Sequence, residues 1–348
     1  MKRPVVAISG MSAVDSPAPG VPVLRSLKES NLKPELVGFS YGTLEPGNFM
    51  TDLLENSFLM PYPSSGPQVL LERIRYIHSI KNLDVIIPTL DSELDNYINI
   101  ALSLKEMGIH MVLPGKQELH TRDKSFLNET LSNTEVLLPK TVTIQDVSAL
   151  RQAAEEIGYP ILVKGIFYEA YLAHTYEEAV GFFYMLASKW GVPIIIQKYI
   201  SGEECNVCAL ANKGSMIGAV VMKKLFLTDK GKAWAGVTIN NEEALKISEM
   251  ILKHIGWTGG CELEFIVETK TNKMYLLEIN PRFPAWVYLA TAAGQNLPDA
   301  LLRMALGETV SPFKKFEIGM VFVRHSWDDI VPMSLIESLS VNGQLKRI

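Results

Sequence analysis

The order of apolar segments between residues 1 and 115 leaves few folds open. Short runs rich in Val, Ile and Leu ("PVVAISG", "ELVGFS", "LDVIIPTL") alternate with longer stretches of helical periodicity ("VPVLRSLKES", "QVLLERIRYIHSI", "DSELDNYINIALSLKEMG") before "HMVLPG" closes the series. Strands joined through helices run parallel, and a parallel sheet needs helices over both faces. Residues 1–118 are therefore expected to form an open, doubly wound α/β domain. Such sheets bind ligands at the C-terminal ends of their strands, which singles out two loops. "SGMSAVDSPAPG", residues 9–20, has Asp15 as its one charge. "PTLDSELD", residues 88–95, puts Asp91 at a helix start and Glu93 in the first turn. Both loops are candidates to line a substrate cleft, with helix capping the competing role for Asp91.

After residue 120 the pattern becomes α+β. "TRDKSFLNETLSN" has helical periodicity with Lys124 in its first turn. "LLPKTVTI", the helix "DVSALRQAAEEIG" and the strand "YPILVKG", which carries Lys164, follow. "YLAHT", "VPIIIQKYI", "EECNVCALAN" and "SMIGAVVMKKLFL" read as further strands, with "YEEAVGFFYMLASKW" a helix among them. The last part holds the helix "NNEEALKISEMILKHIG", the strands "GGCELEFIVET" and "KMYLLEINPRF", and the helix "DALLRMALG".

Composition removes several classes of function. A chain of 348 residues with 47% hydrophobic content is long enough for two or three subdomains. Its net charge of −5 gives no basic footprint for nucleic acid. No run reaches the length of a membrane span, and the apolar run after "MKR" is too short for a signal peptide, so a cytoplasmic protein is expected. Cys205 and Cys208 have C-x-x-C spacing, but on a strand they point to opposite faces, and Cys261 is the one further thiol. They are read as ordinary strand cysteines. Neither G-x-G-x-x-G nor G-x-x-x-x-G-K-[ST] occurs, so a nucleotide would need another cradle.

In "MYLLEINPRF", Glu278, Asn280 and Arg282 occupy alternate positions and share one face of a strand. Glu262 and Glu264 alternate in the same way in "CELEF", and a hairpin turn at "TKTN" would bring that strand alongside. Three carboxylates and Asn280 are then expected to converge. Oxygen donors without His or Cys suit Mg2+, a hard cation that also takes substrate phosphates. Lys124, Lys164 and Arg282 would neutralise a polyphosphate.

The order of Lys124, "PILVK", "IIIQKYISGEE", "CELEF" and "LLEINPR" resembles the ATP-grasp superfamily, specifically its carbamoyl-phosphate synthetase and biotin carboxylase-like branch. The resemblance extends from residue 1 to about residue 310. It implies an α/β and α+β chain: an ATP-grasp fold preceded by an open parallel α/β (preATP-grasp) domain, with an N-terminal lobe over 119–228 and a C-terminal lobe carrying the metal site over 229–348. It implies ATP and Mg2+ as cofactors, with Mn2+ as a substitute. Lys124 and Lys164 would contact phosphates. Gln197 and the backbone of Lys198 and Ile200 would meet adenine, and Glu204 the ribose. Glu264, Glu278 and Asn280 would hold the metal, with Arg282 at the transferred phosphoryl group.

One stretch departs from the family. Where relatives have a glycine-rich loop, this chain reads "KGIFYEAYLAHT", with Phe167, Tyr168 and Glu169 in place of glycines. "MKKLFLTDKGKAWAG" offers Lys223, Lys224 and Lys232 as a replacement lid; Lys224 and Lys232 are taken as catalytic candidates, with solvated surface lysines the alternative. Trp234, Trp286 and Phe283 are candidates for an apolar substrate part or for the core. The activity implied is an ADP-forming carboxylate–amine ligase acting through an acyl phosphate on small molecules, amino acids and peptides among them. Bicarbonate activation and a regulatory nucleotide-binding module without turnover are the alternatives. A homodimer is compatible with this resemblance.

Overall fold

The computed structural model describes residues 3–14, 17–121, 126–165, 169–228, 231–326 and 328–346. The chain divides into two compact units. Met1–His120, Asn206–Leu263 and Ile279–Ile348 make the first, and Thr121–Cys205 with Glu264–Glu278 the second.

The first unit opens with β1 (Val5–Ser9), β2 (Glu35–Ser40), β3 (Asn56–Leu59) and β4 (Val85–Ile87), parallel in the order β3-β2-β1-β4. All five residues of β1 are buried, as expected of a strand covered on both faces. The helix Gly20–Lys28 buries Val21, Val23, Leu24 and Leu27 while Arg25 and Lys28 face solvent. Its first residue has to be glycine, because a Cβ there would lie 2.1 Å from the Ser9 carbonyl oxygen. "HMVLPG" does not extend into the expected strand. It contributes one parallel bridge, Val85 to His110, and the ladder stops before Pro114, which has no N–H to give.

The second unit holds an antiparallel sheet of β5 (Thr141–Ile144), β6 (Ile161–Gly165), β7 (Ala170–Ala173) and β8 (Ile194–Lys198), ordered β5-β8-β6-β7. The helices Leu150–Ile157 and Tyr176–Trp190 cover it with Leu150, Ala153, Phe183 and Leu186. The helix expected over 121–133 is described only as the short Leu127–Thr130, and Lys124 lies outside the described residues.

A third sheet runs β13-β12-β9-β10-β11-β14, built from β9 (Gly202–Asn212), β10 (Ser215–Leu227), β11 (Ala233–Thr238), β12 (Gly259–Glu268), β13 (Met274–Asn280) and β14 (Val321–Val323). The expected turn between β12 and β13 is present, with Asn272 in the left-handed region and the Glu268 N–H donating to the Lys273 carbonyl at 2.8 Å. The lid expected over 222–236 is instead largely an antiparallel hairpin of β10 and β11. Lys224 lies opposite Gly236, and a bulge separates Lys224 from Phe226. β-branched and aromatic residues on both arms favour pairing over an open loop.

β15 (Gln344–Lys346) closes the first sheet by pairing antiparallel with β3. Within the first unit the helix Gly20–Lys28 also packs on the helices Val287–Ala292 and Leu297–Ala305. Ser26 is the fastener there, its hydroxyl bonded to Thr291 at 2.8 Å and its carbonyl accepting from Asn296 at 2.8 Å. No helix among the described residues is long and apolar enough to cross a membrane.

Candidate functional site

In the first unit the polar residues gather on Glu262. Its carboxylate is 7% exposed and accepts from Asn206 Nδ2 at 2.9 Å and Trp286 Nε1 at 2.7 Å. Its second oxygen lies 3.4 Å from Asn280 Nδ2 and 3.7 Å from Arg282 Nη1. Asn206, Glu262 and Asn280 stand on β9, β12 and β13 of the same sheet, and Arg282 and Trp286 come from the segment that follows β13. Glu262 is thus an organiser of its neighbours. Among the described residues no group of three His, Cys, Asp or Glu side chains could hold a metal ion, so the expected three-carboxylate centre is not found as such.

Arg282 is 16% exposed and its Nε donates to Asp91 at 3.0 Å. Asp91 opens a short 3-10 turn, with Leu90 in the capping position, and its carboxylate accepts from Arg282. Glu93 in the same turn is fully buried. It accepts from the Ser9 hydroxyl, from Tyr41 Oη at 2.5 Å and from the N–H groups of Thr89 and Leu90 at 2.8 and 3.0 Å. Burial pushes its carboxyl above the usual carboxylate range, with the four hydrogen bonds opposing. Its environment is that of a fastener between the ends of β1, β2 and β4. Asp15 lies outside the described residues.

In the second unit Lys164 Nζ donates to Gln197 Oε1 at 2.9 Å, and Gln197 Nε2 donates to Thr141 Oγ1 at 3.1 Å. The pair register of β5, β8 and β6 places these residues on neighbouring strands, so two of the expected nucleotide contacts hold each other. Gln197 also lines a crevice of about 20 Å³ with Thr141, Leu276 and Leu277, room for about one water. The Lys198 N–H donates to the Lys140 carbonyl at 2.8 Å, so it is not the group a purine edge would meet. Ile200 is buried and Glu204 half-buried where β9 begins. Glu264 on β12 and Glu278 on β13 are half-buried on adjacent strands.

Trp234 and Trp286 line a pocket of about 200 Å³ in the first unit together with Arg25, Tyr288, Phe322 and Arg324. Phe283, by contrast, is a core residue, 3% exposed against Gly260. Lys224 is half-buried on β10, and Lys232 is exposed where β11 begins. Cys205, Cys208 and Cys261 are all buried free thiols, and burial pushes Cys208 and Cys261 up, as befits inert strand residues. Sequence reasoning missed Arg25, Tyr288 and Arg324. A signal existed for Arg324, which alternates with Val323 and so falls on the Phe322 side of an edge strand.

Residues 191–324 match the family model described as "ATP-grasp in the biosynthetic pathway with Ter operon". The carbamoyl phosphate synthase large chain of Methanobrevibacter smithii is 22% identical over 329 residues, 85% of this chain and 29% of that protein. This chain spans less than a third of the length of the carbamoyl phosphate synthase large chains it matches. Among solved structures, a biotin carboxylase from Campylobacter jejuni superposes with a TM-score of 0.69 at 16% identity, covering 90% of this chain and 73% of that one. The N5-carboxyaminoimidazole synthetase of Staphylococcus aureus, solved with ADP, gives 0.66 at 15% identity, covering 88% and 78%.

Proposed function

We propose that this chain, an ATP-grasp protein by fold and by its matching domain model, is an ATP-dependent ligase that activates a carboxylic acid as its acyl phosphate and joins it to an amine. A carboxylate cannot lose an oxide ion, so an amine attacks it only after one oxygen has become phosphate. In the first step a carboxylate oxygen attacks the γ-phosphorus of ATP, the bond to the β-phosphate oxygen breaks, and ADP leaves with the electron pair. In the second the amine nitrogen attacks the acyl carbon, the carbon–oxygen bond to phosphate breaks, and nitrogen loses a proton as the amide forms.

The observation that carries this reading is the environment of Arg282. It follows the strand bearing Glu278 and Asn280 and is held by Asp91 and Glu262. A guanidinium so held presents its remaining N–H groups as a fixed fork for the oxygens of a phosphoryl group or carboxylate. Glu264, Glu278 and Asn280 remain the donors we assign to Mg2+ by residue chemistry: oxygen ligands suit an ion that binds through one or two carboxylates plus substrate phosphates without needing an all-protein cage. When bound, Mg2+ neutralises phosphate charge and fixes the terminal group for in-line attack. Lys164 is assigned to the phosphates, and Gln197 and Ile200 to adenine.

The fold likeness to biotin carboxylase and N5-carboxyaminoimidazole synthetase supports a second reading, with bicarbonate as the acid. One experiment separates the two: ADP release in the presence of Mg2+, with bicarbonate or a panel of organic acids, each with and without amines. Release that needs an organic acid and an amine supports the ligase reading. Release with bicarbonate alone replaces it, and no release under any condition removes both.

A further inference from the structure

We infer that the pocket between Trp234 and Trp286 receives the body of a carboxylic acid built on one aromatic ring, with Arg324 pairing its carboxylate. The inference rests on the ligase reading only in naming the acid for that reaction.

The walls are fixed before any ligand arrives. Trp286 is 6% exposed, and its indole N–H is tied to Glu262 at 2.7 Å, so the ring cannot swing into the space. Phe322 and Trp234 supply further aromatic faces, and the volume is about 200 Å³. A cavity of roughly 150 Å³ already takes up benzene in a protein interior. Such walls favour a flat apolar body, whereas bicarbonate or acetate would leave them wet.

The polar end is equally specific. The Arg324 guanidinium lies 5.5 Å from the Phe322 ring centroid and donates to the Ala285 carbonyl at 3.2 Å. It has no ion pair among the described residues, and its Nη1 is buried without a hydrogen-bond partner there. Glu262, the acid whose field reaches it, is already shared among Asn206, Trp286 and Arg282. Burial accordingly lowers the guanidinium from its ordinary value, with Glu262 opposing. A half-buried guanidinium at the pocket wall without an acidic partner among the described residues favours an anion, and a ligand carboxylate supplies that charge. Because Arg324 holds Ala285, and the next residue, Trp286, is tied to Glu262, the carboxylate end lies toward the Glu262–Arg282 cluster, where activation would occur. At the exposed rim Arg25 stacks on Tyr288, 3.9 Å from the ring centroid, and Tyr288 Oη donates to Glu29 at 2.5 Å. A substituent leaving the pocket there would meet polar groups.

The test is calorimetric titration of the full chain without nucleotide, using phenylacetate, phenylacetamide, acetate and bicarbonate. Phenylacetate is expected to bind about tenfold or more tighter than each of the other three, the amide lacking the charge and the small acids lacking the ring. Trp234→Ala should weaken phenylacetate by about tenfold, and Arg324→Met should weaken phenylacetate by a similar factor while leaving phenylacetamide unchanged. The ligand series in the unsubstituted protein decides the matter even if a variant fails to fold. Equal affinity for phenylacetate and its amide, tighter binding of bicarbonate, or no binding of phenylacetate overturns the inference. ADP release measured in parallel keeps the two claims apart. Phenylacetate binding with no ADP release from any acid removes the ligase reading and leaves the pocket, while release with acetate and no binding of phenylacetate does the reverse.

Discussion

Arg282 pairs with Asp91 at 3.0 Å and lies 3.7 Å from Glu262. Its bond to Asp91 joins residues 191 positions apart, a separation no local pattern reveals. What alternation did anticipate is that Asn280 and Arg282 turn the same way, both toward Glu262, because side-chain direction along an extended chain is a local property. Lysine at position 282 would keep the charge and lose the fork. Arg282→Lys is therefore expected to lower turnover about 10- to 100-fold while changing ATP affinity much less, since the fork acts mainly on the developing phosphoryl charge. Turnover by ADP release and affinity by calorimetry check this, and equal losses in both would make Arg282 a binding residue only.

Among the elements, the long periodic ones were legible. The parallel order of β1, β2 and β4 follows from strand–helix alternation, and the β12–β13 hairpin from two apolar runs around "TKTN". The illegible ones are short or polar. β3 begins with Asn56 and Ser57, β15 is Gln-Leu-Lys, and both are strands because an existing sheet edge gives their backbones partners. β10 was legible as "SMIGAVVMKKLFL", but its partner β11 was hidden by the lysines and glycines around it, although Trp234 sits on it opposite the Phe226 arm. β12 also carries a packing requirement invisible in sequence: a Cβ on Gly260 would lie 2.6–2.8 Å from the Phe283 ring, which is itself buried. Gly260→Ala should destabilise the protein by about 1–3 kcal/mol through overpacking and lower turnover by displacing the neighbour of Arg282. A denaturant midpoint equal to that of the unsubstituted protein would contradict it.

At the scale of the whole molecule, Glu93 couples the front sheet to pH. Its carboxyl titrates above the unfolded-chain value of about 4.3, so over that interval the folded state keeps a proton the unfolded state has lost. Its contribution to stability is complete below the unfolded value and is lost as pH rises through the folded one. Glu93→Gln, which cannot ionise, should flatten this part of the pH dependence of thermal unfolding; an unchanged slope would show that another group sets it. The larger claim is that the chain makes an acyl phosphate with ATP, and it predicts where one oxygen atom goes. An acid that supports ADP release, labelled with heavy oxygen in its carboxylate, should pass one labelled oxygen to the phosphate formed, in a reaction that needs Mg2+ and is lost in Glu278→Gln. Phosphate released without label alongside ADP would mean that water and not the carboxylate attacks ATP, and would contradict the account.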